Sequence, residues 1–375
     1  MLTHLWVSSL LLFLQRVGAE MERAVSEKQL RDVSWDDIRI FLACVKAGSF
    51  RRAATSLRVS SSTVVRRIDR LEHDLGIPLF NRIPDGVVPT EEARSIIDHA
   101  QRMESAIYDV FRRVEAQDTT ARGVVKVSAT EGIGTYWIMP RLVKFQRQFP
   151  FLIIDMRCAM ESADVLRMEA DLSVQFERPT APDLIVTKLG RLHIYPFASR
   201  GYEEIYGLPK TVEDMKRHRL VDQAAPQLDS GAWARLLGLQ DVEGIVSLRT
   251  NLSSALLYAV EKGAGIGALP SYAPALGAPL VPVDIGIHHS MDIWMTYHPS
   301  ARRTKRVGLV MDWMKKIFDP DAFPWFRDEF IHPSEFVGML PPDSEINVGA
   351  GFAAAVPQSG DAPLLPLTAA ASRRR

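Results

Sequence analysis

The fold of this chain is decided by residues 35–75, which read WDDIRIFLACVKAGSFRRAATSLRVSSSTVVRRIDRLEHDL. Apolar residues recur in this segment at intervals of three and four, a spacing that predicts short amphipathic helices. Gly48 ends the first helix, Ser49 can cap the second, and Ser60 begins the third. Because the second and third helices are short and are joined by a tight turn, we interpret the segment as a helix-turn-helix.

The third helix carries the residue types that contact nucleic acid. Its buried stripe is predicted at positions spaced by four, three and four: Val64, Ile68, Leu71 and Leu75. At about 100° per residue, Ser62, Arg66 and Asp69 then lie on the opposite face. Between Lys46 and Arg70 there are seven basic residues and one acidic residue, so the segment has a local charge of +6 in a chain of zero formal net charge. A charge run alone is often only a solvated helix face. On a helix-turn-helix it favours phosphate neutralisation and arginine contacts to guanine.

A β-hairpin is predicted directly after the third helix. Asp85-Gly86 lies between two apolar runs, which is a signal for a tight hairpin turn. Such a hairpin is typical of a wing, from which Arg82 would reach the DNA backbone. The sequence therefore predicts a winged helix-turn-helix DNA-binding domain over residues 35–89. Its candidate DNA contacts are Arg51, Ser61, Ser62, Arg66, Arg67, Arg70 and Arg82.

A long helix is predicted after the wing, capped by Thr90 and running to about Gln117. Its apolar residues alternate at spacings of three and four, which forms an unbroken heptad seam. Packing of the seam on the same chain is one alternative, but a second copy of the chain is the favoured partner. We therefore assign residues 90–118 to a dimerising linker helix. Its interface candidates are Ile96, Met103, Ile107, Val110 and Val114.

Alternating strands and helices are predicted from Gly123 onward, which indicates an α/β region. The predicted strands are residues 124–127, 151–156, 172–174, 184–186 and 194–197, and the predicted helices are residues 135–149 and 253–262. After Phe330 the composition shifts to scattered proline, glycine, alanine and serine. Residues 331–375 are accordingly predicted to form a disordered tail.

Length and composition limit the classes of protein that this chain can be. Its 375 residues suffice for about two to three domains. With 47% apolar and 24% charged residues, a wholly disordered chain is excluded. The two cysteines, Cys44 and Cys158, are too few and too far apart in sequence for a disulfide scaffold or a cysteine zinc site. These features indicate a soluble, intracellular, multi-domain protein, for which no cofactor or metal is predicted.

The N-terminal extension, residues 1–34, has features of a secreted protein instead. An apolar run from Leu5 to Leu14 is followed by Val17-Gly18-Ala19, which resembles a signal-peptidase site. The run has ten residues, half of the roughly 20 that a membrane-spanning helix needs, and no basic residue precedes it. A wrongly assigned start codon, with Met21 or a nearby codon as the true start, is favoured over a signal peptide. The predicted location is therefore cytoplasmic, with no membrane partner.

The motif AGSFxxAAxxLxVS at residues 47–60, followed by RRIxxLExxLG at residues 66–76, resembles the LysR-type transcriptional regulators. Pro78-Leu79-Phe80-x-Arg82 and Thr90 continue the similarity into the wing and the linker helix. The resemblance covers about residues 35–330. Ser61 stands where the family usually has glutamine, and Val65 stands where it usually has serine.

The resemblance implies an α/β architecture in which a winged helix-turn-helix and a linker helix precede an effector-binding domain, residues 119–330. That domain would consist of two subdomains hinged like a periplasmic binding protein, the first formed by residues 123–190 and 285–330. A small-molecule effector would bind in the cleft between the subdomains. The implied partners are double-stranded promoter DNA, a second copy of the chain in a dimer or further a tetramer, and RNA polymerase as an additional candidate. The effector contacts expected by position are Thr130, Glu131, Ser162, Ser199 and Asn251.

The chemistry of the effector stays open. Thr130, Glu131, Gly132 and Gly134 form a predicted strand-to-helix turn, whose exposed amides and helix dipole favour an anion such as a carboxylate. The Glu131 carboxylate opposes an anion and would instead suit an amine or a neutral ligand. The glycines are equally well explained as residues that only shape the turn.

Two other classes of protein are less favoured. Gly132-Ile-Gly134, with Asp155 about twenty residues later, is similar to a dinucleotide fingerprint, but Trp137 occupies the position of the third glycine. We therefore predict that the chain is not a nicotinamide-dependent or other enzyme. A secreted two-lobed solute-binding protein would explain the signal-like start but would leave residues 35–117 without a role.

Overall fold

The computed structural model describes residues 33–115, 121–160, 162–224, 232–240 and 242–338. It forms two compact units, one ending at Phe111 and the other beginning at Arg112. The apolar run from Leu5 to Leu14 lies outside the described residues. Within these ranges, no helix combines the length and the apolar character that crossing a bilayer requires.

The first unit is the predicted winged helix-turn-helix with the linker helix as far as Phe111, and the last residues of that helix fall in the second unit. Its elements are α1 (Trp35–Ala47), α2 (Phe50–Leu57), α3 (Ser61–Leu75), β1 (Phe80–Ile83), β2 (Gly86–Pro89) and α4 (Glu91–Glu115). The core is formed by buried residues of the three short helices, among them Phe41, Val64 and Ile68. Leu75 was predicted to extend this buried stripe, and that prediction is wrong. It lies in the last turn of α3, just before the chain leaves the helix at Gly76.

Capping residues set the ends of these helices. Ser60 Oγ accepts from Thr63 N at 3.1 Å at the start of α3, and Thr90 Oγ1 accepts from Ala93 N at 3.0 Å at the start of α4. Ser49 occupies the predicted N-cap position of α2, but its hydroxyl accepts no capping hydrogen bond. Gly48 ends α1 in the left-handed conformation, at a φ of 61°. Such backbone is typical of glycine at a helix C-terminus.

The wing packs tightly against the end of α1. Val87 N donates to Gly48 O at 2.9 Å. A Cβ atom at Gly86 would lie 2.1 Å from that same carbonyl oxygen, so no larger residue fits there without a shift of the hairpin. Asp85-Gly86 therefore has two roles, because it forms the predicted turn and also permits this close backbone contact.

The second unit contains nine strands in its described part, which form one sheet. The strands are β3 (Gly123–Ala129), β4 (Leu152–Cys158), β5 (Leu172–Gln175), β6 (Ile185–Ser199), β7 (Leu220–Gln223), β8 (Val246–Thr250), β9 (Ile266–Pro270), β10 (Leu280–Pro282) and β11 (His289–Tyr297). Their order is β4-β3-β5-β11-β6-β9-β7-β8, and β10 pairs with β6. The helices are α5 (Met139–Gln148), α6 (Arg200–Tyr206), α7 (Ala232–Leu236), α8 (Ser253–Glu261) and α9 (Lys305–Ile317).

Parallel strands occur at both ends of the sheet, and two long antiparallel strands connect them. β3 is parallel to β4 and β5, and β7 is parallel to β8 and β9. Between them β6 is antiparallel to β11 and to β9. One hydrophobic core surrounds β3, β5 and α9, and two others surround β7, β9 and α8. The unit therefore has two α/β subdomains that share β6 and β11, as the family resemblance implied.

Two sequence predictions for this unit are wrong. Residues 184–186 and 194–197 were predicted to be separate strands, but residues 185–186 and 194–197 all belong to the 15-residue β6. The polar residues between them are tolerated because Lys188 Nζ and Arg191 Nε lie 3.1 Å and 2.9 Å from the carboxylate of Asp292 on β11.

The disorder predicted from residue 331 does not hold for residues 331–338. Phe336 is buried and packs on Trp325 with ring centroids 5.5 Å apart. His332 Nε2 lies 2.9 Å from Asp284 Oδ1. Residues 339–375 lie outside the described ranges.

An ion pair holds α3 on α1. Arg67 Nη1 donates to Asp37 Oδ1 at 2.8 Å, and Arg67 Nη2 lies 3.2 Å from Asp36 Oδ2. The hydrogen bond to Asp37 and its negative charge raise the pKa of Arg67. Because the Asp37 side chain is fully buried, the guanidinium supplies the compensating charge that a buried carboxylate requires.

We expect the variant Arg67→Met to lose about 3 kcal/mol of unfolding free energy, because it leaves Asp37 buried without a partner. The double variant Arg67→Met/Asp37→Asn should recover most of that loss. Arg66→Met, a change at the exposed neighbouring arginine, should stay within about 0.5 kcal/mol of the parent. Urea denaturation of the four proteins measures these differences. Equal stability of the Arg66 and Arg67 single variants would contradict the role of the ion pair.

Candidate nucleic-acid interface and ligand cleft

Helix α3 presents an exposed polar face. Ser62, Arg66 and Asp69 are exposed, as the helical spacing predicts. Ser61 is exposed at the first turn, and Ser62 Oγ lies 2.9 Å from Ser60 Oγ. This first turn and the arginine face supply donors of the kind that contact phosphates and base edges.

Further arginines are exposed around α3. Arg51 lies on α2, and Arg82 lies on β1 of the wing. Arg70 is exposed on α3, with its Nε 3.6 Å from Asp74 Oδ2. The Arg70 side chain is 55% exposed, so its remaining N–H groups are available to a phosphate.

Arg67 is the exception among the predicted DNA contacts. Its guanidinium is paired with Asp37 and Asp36 of α1, so it stabilises the position of α3, while the side chain remains 32% exposed. Helical spacing placed Arg66, and not Arg67, opposite the buried stripe, but it could not identify the partner of Arg67, because Asp37 lies thirty positions away in the chain.

A residue of α3 that sequence analysis did not single out anchors the wing. Glu72 Oε1 accepts from Leu79 N at 2.6 Å and from Phe80 N at 3.3 Å. The carboxylate therefore fixes the start of β1 relative to α3. In the sequence Glu72 was visible only as one position of the RRIxxLExxLG motif.

The apolar seam of α4 divides into two halves. Ala93 and Ala100 are buried, and Ile96 packs with them against the core of the first unit. For this half, the alternative of packing on the same chain is correct. Ile107 is half-buried. Toward the end of the helix Met103, Val110, Phe111 and Val114 are exposed, Val110 to 61%.

A cleft of about 1550 Å³ lies between the two subdomains of the second unit. Most of its wall is apolar, with large side chains that include Tyr136, Met160, Phe176, Leu192, Trp233 and Met291. Polar residues cluster where α8 begins, and Gln223 Nε2 donates there to Ser253 Oγ at 2.9 Å. Cavities of this character bind small organic molecules through a few polar contacts.

Thr130 lines this cleft, as expected. Its side chain is 3% exposed, and its Oγ1 has no hydrogen-bond partner among the described residues. The amide of Gly134 was predicted to be exposed to a ligand. That prediction is wrong, because its N–H donates to Thr130 O at 2.8 Å. Gly134 is required by packing instead, since a Cβ there would lie 2.4 Å from Cys158 Sγ.

The carboxylate of Glu131 has a different role from the one expected. It is 8% exposed, and its Oε2 accepts from Ser254 N at 3.0 Å. Helix α8 has no side-chain oxygen at its N-cap, Leu252. Glu131 therefore caps α8 from the opposite subdomain, where its charge is favoured by the helix dipole.

Four of the five expected effector contacts do not line the cleft: Glu131 and three others, Ser162, Ser199 and Asn251. Ser199 Oγ accepts from Tyr202 N at 3.2 Å, so it caps α6. Asn251 is exposed in the turn before α8, and Ser162 is exposed in the loop after β4. Their assignment rested on position alone. Two polar residues that do line the cleft, Gln223 and Ser253, could have been identified from the sequence. Gln223 lies at the end of a strand and Ser253 at the start of a helix, and ligands in such folds bind at these positions.

Burial shifts several pKa values around the cleft. Burial raises the pKa of Tyr136, and the charges of Glu131 and Glu261 raise it further. Burial also raises the pKa of Glu261 and of the Cys158 thiol. These groups therefore favour their neutral forms more than exposed residues do. Within the described ranges, no three His, Cys, Asp or Glu side chains are grouped so as to hold a metal ion.

Two protein families match this chain. Residues 35–94 match the bacterial regulatory helix-turn-helix proteins of the lysR family, and residues 118–319 match the LysR substrate binding domain. An HTH-type transcriptional regulator of Xanthomonas campestris pv. campestris is 32% identical over 184 residues, which are 49% of this chain and 54% of that protein. The chain thus spans about half the length of this relative.

Two further proteins are similar to the chain. The glycine cleavage system transcriptional activator of Escherichia coli K12 is 28% identical over 233 residues, which are 61% of this chain and 74% of that protein. Among solved structures, the full-length Vibrio cholerae virulence activator AphB has a TM-score of 0.47 at 19% identity, over 75% of this chain and 98% of that chain.

The match to the substrate binding domain alone covers more than half of the chain, and the helix-turn-helix match adds the segment that begins at Trp35. The relatives are transcriptional regulators and not enzymes. Winged helix, linker helix and two-subdomain α/β unit occur in the order that the resemblance implied. The chain belongs to the LysR family of transcriptional regulators.

Proposed function

We propose that this chain is a sequence-preferring DNA-binding regulator whose activity is controlled by a small molecule bound between its two α/β subdomains. The observation that carries the DNA-binding part is the exposed face of α3, with Ser62 and Arg66, next to a wing that presents Arg82. The proposal places α3 in the major groove and the wing on the backbone. Acting on promoter DNA, the chain would work in the cytoplasm, and RNA polymerase stays a predicted partner.

The cleft supports the second part of the proposal. It offers an apolar volume large enough for a small organic effector, with Thr130 and the first residues of α8 as its polar contacts. The two subdomains are connected through β6 and β11. A ligand that contacts both subdomains can therefore change the position of one subdomain relative to the other. A secreted solute-binding protein is not favoured, because the helix-turn-helix match has no role in it.

The end of α4 supports self-association. Met103, Val110, Phe111 and Val114 repeat at helical spacing and leave an apolar face exposed. A second copy of the same helix is the partner that we propose for this face, and Ile107 borders it. Ile96 is not part of this proposed interface, because it packs on its own domain. Assembly into a tetramer stays a prediction.

The DNA-binding proposal predicts different effects for two arginines. Arg66→Ala should cost about 1–3 kcal/mol at the specific operator if the side chain reads a base edge. Arg82→Ala should weaken binding about equally for all DNA sequences. It should also lower the slope of log affinity against log salt concentration by about one, because one phosphate contact is lost. Fluorescence anisotropy on an operator found by genome-wide mapping measures both effects. Arg147→Ala, an exposed arginine of the second unit, is the matched control and should change neither. Unchanged operator affinity in Arg66→Ala would remove that residue from the readout.

The assembly proposal predicts that Val110→Asp produces monomers, because it places a charge in the exposed apolar face of α4. Operator affinity should fall with it, since one subunit cannot span two half-sites. Sedimentation velocity measures the assembly. Ser95→Asp adds the same charge on the polar side of the helix and should leave the assembly unchanged. A Val110→Asp protein that remains dimeric would exclude this face as the interface.

The cleft proposal predicts that Thr130→Val abolishes the effector response while leaving operator affinity intact. Because Oγ1 has no hydrogen-bond partner, its removal should leave the melting temperature unchanged or slightly raised. Thr296→Val, a change at another buried threonine outside the cleft, should retain the response. The readout is operator binding with a metabolite of the enzymes encoded beside the mapped site. A normal response in Thr130→Val would show that the pocket is wrongly assigned.

A further inference from the structure

The described chain continues past the end of the match to the LysR substrate binding domain. That match ends at residue 319, and the structure describes the chain to residue 338. We call residues 320–338 the C-terminal strap. Two short 3₁₀ helices, Pro324–Phe326 and Pro333–Gly338, lie in it, and residues 327–332 connect them. The strap is therefore a segment that the matched family domain does not include.

Both 3₁₀ helices of the strap are anchored in the core of the first subdomain. Trp325 and Phe326 are buried there, and the centre of the Phe326 ring lies 4.8 Å from that of Trp137. Tyr272 completes this aromatic cluster, with its ring centre 5.4 Å from Trp137 and 5.7 Å from Phe326. Phe336 of the second 3₁₀ helix packs back on Trp325. These contacts fix the two ends of the strap on one subdomain.

Between its ends, the strap first crosses β6. Asp328 Oδ1 lies 2.5 Å from Lys188 Nζ and 3.7 Å from Arg191 Nε, two cations of β6 that also pair with a carboxylate of β11. His193 Nε2, also on β6, donates to Arg327 O at 2.9 Å. The strap is thus bound to the strand pair that connects the subdomains.

Beyond these contacts, the strap reaches the second subdomain. The Phe330 ring stacks on Tyr195 at 5.5 Å and on His288 at 4.2 Å, and it packs against the core around β9 and α8. His332 Nε2 lies 2.9 Å from Asp284 Oδ1, which also accepts from Tyr195 OH at 3.0 Å. Tyr195 belongs to β6, whereas Asp284 and His288 lie between β10 and β11. The chain passes from one subdomain to the other at these two places, and the strap binds both.

We infer that the C-terminal strap restrains the relative position of the two subdomains. Its ends are buried in the first subdomain and its middle is bound to the second. A rotation of one subdomain on the other must therefore break the contacts of Phe330 and His332 or expose buried aromatic rings. Because exposed ion pairs contribute little and stacked rings contribute more, Phe330 should carry most of the restraint.

The restraint bears on regulation, and this part rests on the proposed function. A ligand shifts an equilibrium between two arrangements only by the difference in its affinity for them. Contacts that favour the observed arrangement therefore raise the preference that a cleft ligand must have for the other one. The strap would set how much ligand a response requires, although it does not line the cleft.

Double electron–electron resonance on the full chain measures the distance between the subdomains. Gln148→Cys in α5 and Glu204→Cys in α6 place the two spin labels at exposed positions. Cys158 is partly exposed and is replaced by serine, whereas Cys44 is buried and stays unlabelled. Dilution with unlabelled chain restricts the signal to label pairs within one chain.

Two variants loosen the strap in different ways. Phe330→Ala removes the stacked ring, and Asp328→Asn/His332→Gln removes polar links without changing a buried apolar side chain. Each should shift the mean distance and broaden its distribution, Phe330→Ala by more. Phe149→Ala is the matched control, because this ring is also half-buried but packs on Phe145 within the first subdomain. The control should lower the melting temperature and keep the parent distance.

Two results would overturn the inference. One is the parent distance distribution in both strap variants while the melting temperature falls as in Phe149→Ala, which would make the strap only a source of stability. The other is equal broadening in Phe149→Ala, which would mean that any loss of packing loosens the unit. If Phe330→Ala does not fold, the double variant decides, because it changes only exposed or half-buried residues. The measurement uses neither DNA nor ligand, so its failure would leave the proposed function intact, and a chain that does not bind operator DNA would contradict only the proposed function.

Discussion

The antiparallel pairing of β6 with β11 is the constraint on which the second unit depends. β6 is 15 residues long and contributes to the cores of both subdomains, with Leu192 in the first and Ala198 in the second. The pairing has one irregularity, where Ile293 pairs with Gly190 and Trp294 with Lys188. At that point Phe326 packs so closely on Gly190 that a Cβ would lie 2.9 Å from it. A change in the angle between the subdomains must therefore be accommodated by this strand pair and the side chains on it.

The first unit is organised around a different requirement, namely that α3 keeps a fixed orientation. Two carboxylates fix this orientation. Asp37 of α1 binds Arg67 of α3, and Glu72 of α3 accepts from the backbone at the start of the wing. The arginines that face solvent are consequently presented on a rigid frame. Rigid placement matters for reading bases, since hydrogen bonds to base edges depend steeply on position.

Much of the first unit could be predicted from the sequence, and much of the ligand site could not. Helix spacing, the glycine at residue 48 and the Asp85-Gly86 turn are local signals, and each gave the correct element. Arg67, Glu131 and Tyr272 took roles that depend on partners far away in the chain: Asp37, Ser254 and Trp137. Local periodicity contains no information about such pairs. The same limit explains Phe336, whose burial against Trp325 was hidden by the proline-rich composition around it.

The cap that Glu131 places on α8 has a consequence for any rearrangement of the second unit. Its hydrogen bond to Ser254 N joins the first subdomain to a helix of the second, so a movement that separates them leaves an N–H at the start of α8 without this partner. The observed relative position of the two subdomains is thereby favoured by about 1 kcal/mol, the typical contribution of a helix N-cap. A ligand that separates Glu131 from α8 must supply at least that much free energy through its preference for the rearranged state.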